Sequence, residues 1–207
     1  MNDNITKLLA NGDIAATVAE LNKNPALLSE TDDNGVVLAH KLATSGAIKY
    51  IHDLVTQEVL ELVTPPLGWT TLHCAAAAGN IAALDGPLKK HGARVMHWKD
   101  DRGEIAAHVA ARHGYLAGFP PEMLTPFHFS ICNNFGQTAL HLAAENKHLD
   151  QISHKYDPVL LLYRDLAGQT VLEIAEANGA VDQLPGPLVI RARLIAAQVA
   201  KDMKSNA

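Results

Sequence analysis

The chain is poor in cysteine, in aromatic side chains and in net charge, and each shortage removes a class of protein. Two cysteines, Cys74 and Cys132, among 207 residues cannot build a disulfide framework. No Cys-x-x-Cys pair offers a zinc ribbon or a redox dithiol, so a reducing compartment fits. Four Phe, four Tyr and two Trp leave the core to aliphatic side chains, which the 48% hydrophobic content supplies. A formal net charge of -5 with 19% charged residues carries neither the basic footprint of a nucleic-acid binder nor the composition of disorder. No apolar run is long enough to span a bilayer, and residues 1–13 lack the basic start and apolar stretch of a secretory signal. The expectation is a soluble, cytoplasmic protein with no membrane and no nucleic-acid partner.

What is present is a repeat. Gly136-Gln137-Thr138-Ala139-Leu140-His141-Leu142-Ala143-Ala144 has a close relative in Gly68-Trp69-Thr70-Thr71-Leu72-His73-Cys74-Ala75-Ala76. Weaker copies lead from Gly35 to His40 and Ala43, from Gly103 to His108 and Ala111, and from Gly168 to Thr170, Leu172 and Ala175. The leading glycines are 33, 35, 33 and 32 residues apart. Eleven residues beyond each stands a second glycine, Gly46, Gly79, Gly114 or Gly179, with only Lys147 out of pattern. Gly12-Asp13-Ile14 carries the later half of one more copy.

The Gly-x-Thr-x-Leu-His-x-Ala-Ala pattern at a period near 33 resembles the ankyrin repeat along essentially the whole chain. The resemblance implies an all-α ankyrin-repeat solenoid of stacked helix-turn-helix repeats joined by extended fingers. A single domain over residues 1–207 is expected: a cap repeat at 1–32, repeats at about 33–65, 66–100, 101–133, 134–165 and 166–187, and a capping helix at 188–204. Thr70, Thr138 and Thr170 stand where a side-chain oxygen takes early helical N–H groups. The second glycines end those helices by taking a left-handed conformation.

The sequence also departs from the family. The residue after the capping position, commonly proline in ankyrin repeats, is Leu38, Thr71, Ala106, Ala139 or Val171. The second helices are interrupted at Gly86-Pro87, Pro120-Pro121, Asp157-Pro158 and Pro185-Gly186-Pro187. Proline is tolerated only in a first turn, so shortened outer helices starting late at these prolines are expected, with a loop over Ser153–Tyr156. Over Leu188–Lys204, the apolar Ile190, Leu194, Ile195, Val199 and Met203 alternate with polar residues as in an amphipathic terminal helix.

Eleven histidines invite a metal or catalytic reading. His40, His73, His108 and His141 recur with the period, and the resemblance implies that they bond turn backbone. The remainder, His52, His91, His97, His113, His128, His148 and His154, form no HExxH and no zinc-spaced pair with cysteine. No GxSxG elbow, phosphate loop or dinucleotide fingerprint is present. No catalytic residue, metal ligand or cofactor is therefore expected.

A surface remains. In ankyrin proteins the fingertips and the exposed side of the first helices form a concave binding face. The corresponding positions here include Leu67, Trp69, Arg102, Glu104, Arg112, His113, Phe135, Gln137 and Leu166. Large apolar groups beside arginines match the composition of interface hot spots. The alternative placement has Trp69 folded back on the neighbouring finger and Phe135 packed under its hairpin.

These observations point to a non-catalytic module that binds another protein and is monomeric alone. The proline-started outer helices depart from regular eukaryotic arrays and lean towards a bacterial protein, with effector and inhibitor among the roles of its relatives and delivery into a host cell left open. Two alternatives stand beside it: a metal-dependent or small enzyme using the non-repeat histidines, and a self-associating structural protein.

Overall fold

The computed structural model describes residues 3–92, 94–153 and 156–205. The chain divides into two compact units, one of Met1–Ala106 with Gly118–Pro120 and the other of Ala107–Ala117 with Pro121–Ala207. The architecture is the expected all-α repeat fold.

In the first unit, α1 (Asp3–Ala10) and α2 (Ile14–Lys23) pair, followed by α3 (Leu38–Ser45), α4 (Gln57–Glu61), α5 (Thr71–Ala78) and α6 (Asp85–His91). Helices α3 and α5, the first helices of consecutive repeats, lie against each other. Their small residues Ala39, Ala43, Ala75 and Ala76 are fully buried, which lets the backbones approach closely. Leu38, Leu42, Leu72, Ile81 and Leu84 fill the space between the layers. No single repeat could bury these faces alone, so stacking supplies the core.

The second unit holds α7 (Ala106–His113) from Ala107 onward, α8 (Ala139–Asn146), α9 (Val171–Ala177) and α10 (Gly186–Ser205). Helices α8 and α9 repeat the α3 and α5 arrangement, and α10 lies on the 3-10 turn Pro158–Leu162.

Fingers connect the repeats, and one side chain organises most of them. Three residues before a leading glycine stands Asp32, Asp100, Asn133 or Asp165. Asp100 Oδ1 accepts from the N–H groups of Arg102 and Glu104, both at 2.8 Å. Asn133 Oδ1 does the same for Phe135 and Gln137, both at 2.9 Å. This is an Asx turn closing a tight hairpin. Pro65 occupies that place in the third repeat, whose finger is instead the two-stranded pair β1 (Val63–Thr64) and β2 (Trp69–Thr70), antiparallel with Thr64 opposite Trp69.

Several expectations need correction. Most outer segments are 3-10 turns, as at Ile81–Leu84, Leu116–Gly118 and Leu149–Gln151. Pro87 and Pro187 do sit in the first turns of α6 and α10, and Pro158 opens its 3-10 turn. Pro120-Pro121 starts no helix: residues 119–127 are bends and turns. Within the loop expected over Ser153–Tyr156, His154 and Lys155 lie outside the described residues. The apolar residues of the terminal helix do not share one face. Ile190 and Val199 are nine residues apart, about half a turn around the axis. Leu188, Val189 and Ala192 are buried while Ile190 and Leu194 face outward.

Candidate functional site

The repeat histidines reveal how the site's scaffold is held. At α5, Thr70 donates to His73 Nδ1 from its N–H at 3.2 Å and its hydroxyl at 2.8 Å. His73 Nε2 donates to the carbonyl of Glu104 in the next finger at 2.9 Å. At α8, Thr138 serves His141 Nδ1 at 3.0 and 2.8 Å, and His141 Nε2 donates to the Tyr163 carbonyl at 2.9 Å. His108 Nε2 reaches the Gln137 carbonyl at 3.1 Å. One ring thus caps its own helix and bonds the following finger. The geometry requires a neutral imidazole with its proton on Nε2. Burial pushes His40, His73 and His141 below the ordinary imidazole range. At α3 Val37 replaces the capping threonine, and the ring of His40 bonds the Thr64 hydroxyl and the Leu62 carbonyl instead.

These bonds set the fingers, and a second set joins neighbouring fingertips. In the first unit the Asp101 N–H donates to the Leu67 carbonyl at 3.0 Å; in the second the Leu166 N–H donates to the Phe135 carbonyl at 3.1 Å. Gly136 makes the latter contact feasible: its φ is 72°, and a Cβ there would lie 2.8 Å from the Leu166 backbone nitrogen.

The nine expected surface residues fall into different environments. In the first unit Arg102 is exposed and Leu67 and Trp69 are half-buried. The Trp69 indole donates to Asp100 Oδ2 at 3.0 Å, so the alternative placement of Trp69 on its neighbouring finger is the observed one. Glu104 is only 1% exposed and leaves the surface set. Its N–H points back to Asp100 and its carbonyl to His73, which turns the residue inward.

In the second unit Arg112 is half-buried and His113 exposed. His113 stacks with Tyr115 at a centroid distance of 6.5 Å. Phe135 and Leu166 are 58% and 79% exposed. Together with half-buried Gln137 they line a shallow cavity of about 470 Å³, with Glu145, Asp165 and Gln169 at its rim. Gln137 Nε2 donates to Glu145 Oε1. The structure therefore brings Phe135, Gln137 and Leu166 to one place, and Phe135 is not packed under its hairpin.

Sequence reasoning passed over one motif. Thr125-Pro126-Phe127-His128 lies out of phase with the repeats, yet the Thr125 N–H and hydroxyl bond His128 Nδ1 at 3.2 and 2.9 Å. The cap geometry of His73 is reproduced in a turn, and it presents Phe127 to solvent. The Thr-Pro-x-His string was the available signal.

Burial pushes the Cys74 thiol up to about 12, so this side chain is held as a thiol and not as a nucleophilic thiolate. Among the described residues no group of three His, Cys, Asp or Glu side chains is arranged to hold a metal ion. Among them also, no helix is long and apolar enough to cross a membrane.

Comparison with known proteins agrees with this geometry. Residues 135–162 match the family model of the ankyrin repeat. No curated protein sequence matches the chain. A chain of the solved complex described as the predatory endopeptidase Bd0816 from Bdellovibrio bacteriovorus with immunity protein Bd3460 is similar in fold. Its TM-score is 0.64 at 22% identity, over 92% of this chain and 98% of that chain.

Proposed function

We propose that this chain, an ankyrin-repeat protein, is a non-catalytic module that binds another protein through its fingertips and the open side of its first helices. The observation that carries this reading is the pair Phe135 and Leu166. Two large apolar side chains stand 58% and 79% exposed on fingertips that a backbone hydrogen bond ties together. Exposed apolar groups on a rigid platform lose little entropy on docking, which is what an interface anchor requires. Arg112 and His113 of the same unit add polar contacts to the partner.

The finer form of the reading is an inhibitor of an enzyme. It is supported by the near whole-length fold likeness to a chain from a complex that contains an endopeptidase and an immunity protein. Protein captured from native lysate on the wild type and on a Phe135→Asp, Leu166→Asp variant of verified fold tests both levels. Retention by the wild type alone supports the fingertip reading, and inhibition of the captured protein's enzymatic activity supports the finer one. Equal retention by both forms rejects the fingertip anchor.

A further inference from the structure

The fingertip cavity has a filled counterpart in the same chain. In the first unit the Asp101 N–H donates to the Leu67 carbonyl, and His73 Nε2 donates to the Glu104 carbonyl. In the second unit the same register joins Leu166 to Phe135 and His141 to Gln169, the latter at 3.3 Å. The two finger pairs therefore correspond position by position, with Gln137 in the place of Trp69 and Asp165 in the place of Asp100.

What spans the two pairs differs. The half-buried Trp69 indole bridges the first by donating to Asp100 Oδ2 at 3.0 Å. Gln137 does not reach across: it donates to Glu145 Oε1 and accepts from Asn133 Nδ2 at 3.4 Å. Asp165 Oδ1 closes its own turn with the Gln169 N–H at 2.9 Å, and among the described residues no donor meets Oδ2. The positions that enclose the indole in the first pair line the open cavity of about 470 Å³ in the second.

We infer that this cavity takes an arginine side chain of the partner protein, which lies on Phe135 and donates to Asp165 Oδ2. The inference rests on the fingertip reading and names the chemistry that the fingertips recognise. The Trp69 bridge specifies the shape of the occupant, a flat group with an N–H at its edge. Charge then selects the guanidinium over the indole. The lining carries two carboxylates, Glu145 and Asp165, and no basic side chain. A guanidinium is planar, presents its donors in a fork matched to a carboxylate, and stacks on an aromatic face. A lysine ammonium is a compact, strongly hydrated charge that leaves the slot unfilled.

The probe is the capped tripeptide glycyl-arginyl-glycine, titrated into the full chain and followed by the backbone amide shifts of Phe135, Leu166 and Gln169. A lone anchor side chain is expected to bind with a Kd of about 1–20 mM. Affinity is expected to fall between about 0.05 and 0.5 M salt, and by at least about fivefold when citrulline, lysine or tryptophan replaces the arginine. Asp165→Asn is expected to weaken binding by a similar factor. It removes the charge and keeps the turn, because Asn133 closes the equivalent turn with two N–H groups at 2.9 Å; the unperturbed amide spectrum verifies the fold. Gln137→Trp is expected to abolish the shifts by filling the slot from within. No shift at these amides up to about 20 mM, equal binding to Asp165→Asn or to Gln137→Trp, or equal binding of the citrulline, lysine or tryptophan peptide overturns the inference. A captured partner that is lost by the Phe135→Asp, Leu166→Asp variant and kept in full by Asp165→Asn also overturns it while leaving the fingertip reading intact.

Discussion

Asp100 ties two fingers of the first unit together: one carboxylate oxygen accepts from the Trp69 indole at 3.0 Å while the other accepts two N–H groups of its own turn at 2.8 Å. The side chain is buried, so removing it strands three donors at once. Asp100→Ala is expected to cost about 3 kcal/mol in urea denaturation, since each buried donor left unmade costs about 1–3 kcal/mol and the Trp69 indole can partly re-solvate. Asp100→Asn keeps an acceptor for the turn and is expected to cost about 1 kcal/mol. Equal losses for the two variants would show that the turn does not depend on this acceptor.

The glycine series predicts substitutions of opposite sign. Lys147 holds φ at 62°, the one positive-φ residue other than glycine among those described. Lys147→Gly relieves about 1–2 kcal/mol of left-handed strain and adds unfolded-state entropy, for a net gain of about 0.5–1 kcal/mol. Gly136→Ala meets both the positive φ and the Leu166 backbone, and is expected to cost at least about 2 kcal/mol. Thermal unfolding of the two variants reads both signs.

The cap histidines make stability depend on pH. His40, His73 and His141 are lowered from 6.5 chiefly by burial, so the unfolded chain takes up protons that the folded chain does not. Their contribution is complete above the unfolded value and is lost as pH falls from about 6.5 towards the folded values. Asp32 and Glu173 are lowered too, the first by its hydrogen bond from Lys41 and the second by the Thr170 backbone N–H. They carry the loss on into the carboxylate range. Denaturation midpoints should fall on acidification from pH 7.5, beginning in the histidine range. A midpoint constant down to the carboxylate range would contradict the assignment of these rings as neutral in the folded chain.

Much of this fold was legible because it depends on spacing. The cap threonines, the histidines at a fixed offset and the paired glycine series sit where local backbone geometry demands those residue types, and the structure places them accordingly. Glu104 was misread because the exposure of a finger residue depends on where its own N–H and carbonyl are bonded, and the Asx acceptor three residues before the leading glycine settles that. The Asp or Asn at that place was visible at Asp32, Asp100, Asn133 and Asp165 but went unused. The terminal helix was misread for another reason: composition alone does not separate Ile190 and Leu194 from the half-covered stripe on the opposite side. Short 3-10 turns carry too few residues for a periodic signal, which is why the outer layer was the least legible.

The central claim is that the fingertip pair of the second unit anchors a protein partner. Its most direct test is isothermal titration of a partner captured by the wild type against wild-type chain and against Phe135→Ala and Leu166→Ala variants. The account predicts a loss of at least about 2 kcal/mol for one of the two, about thirtyfold in Kd, with the variants' unfolding midpoints unchanged. Affinities within about 0.5 kcal/mol of wild type for both variants would contradict it.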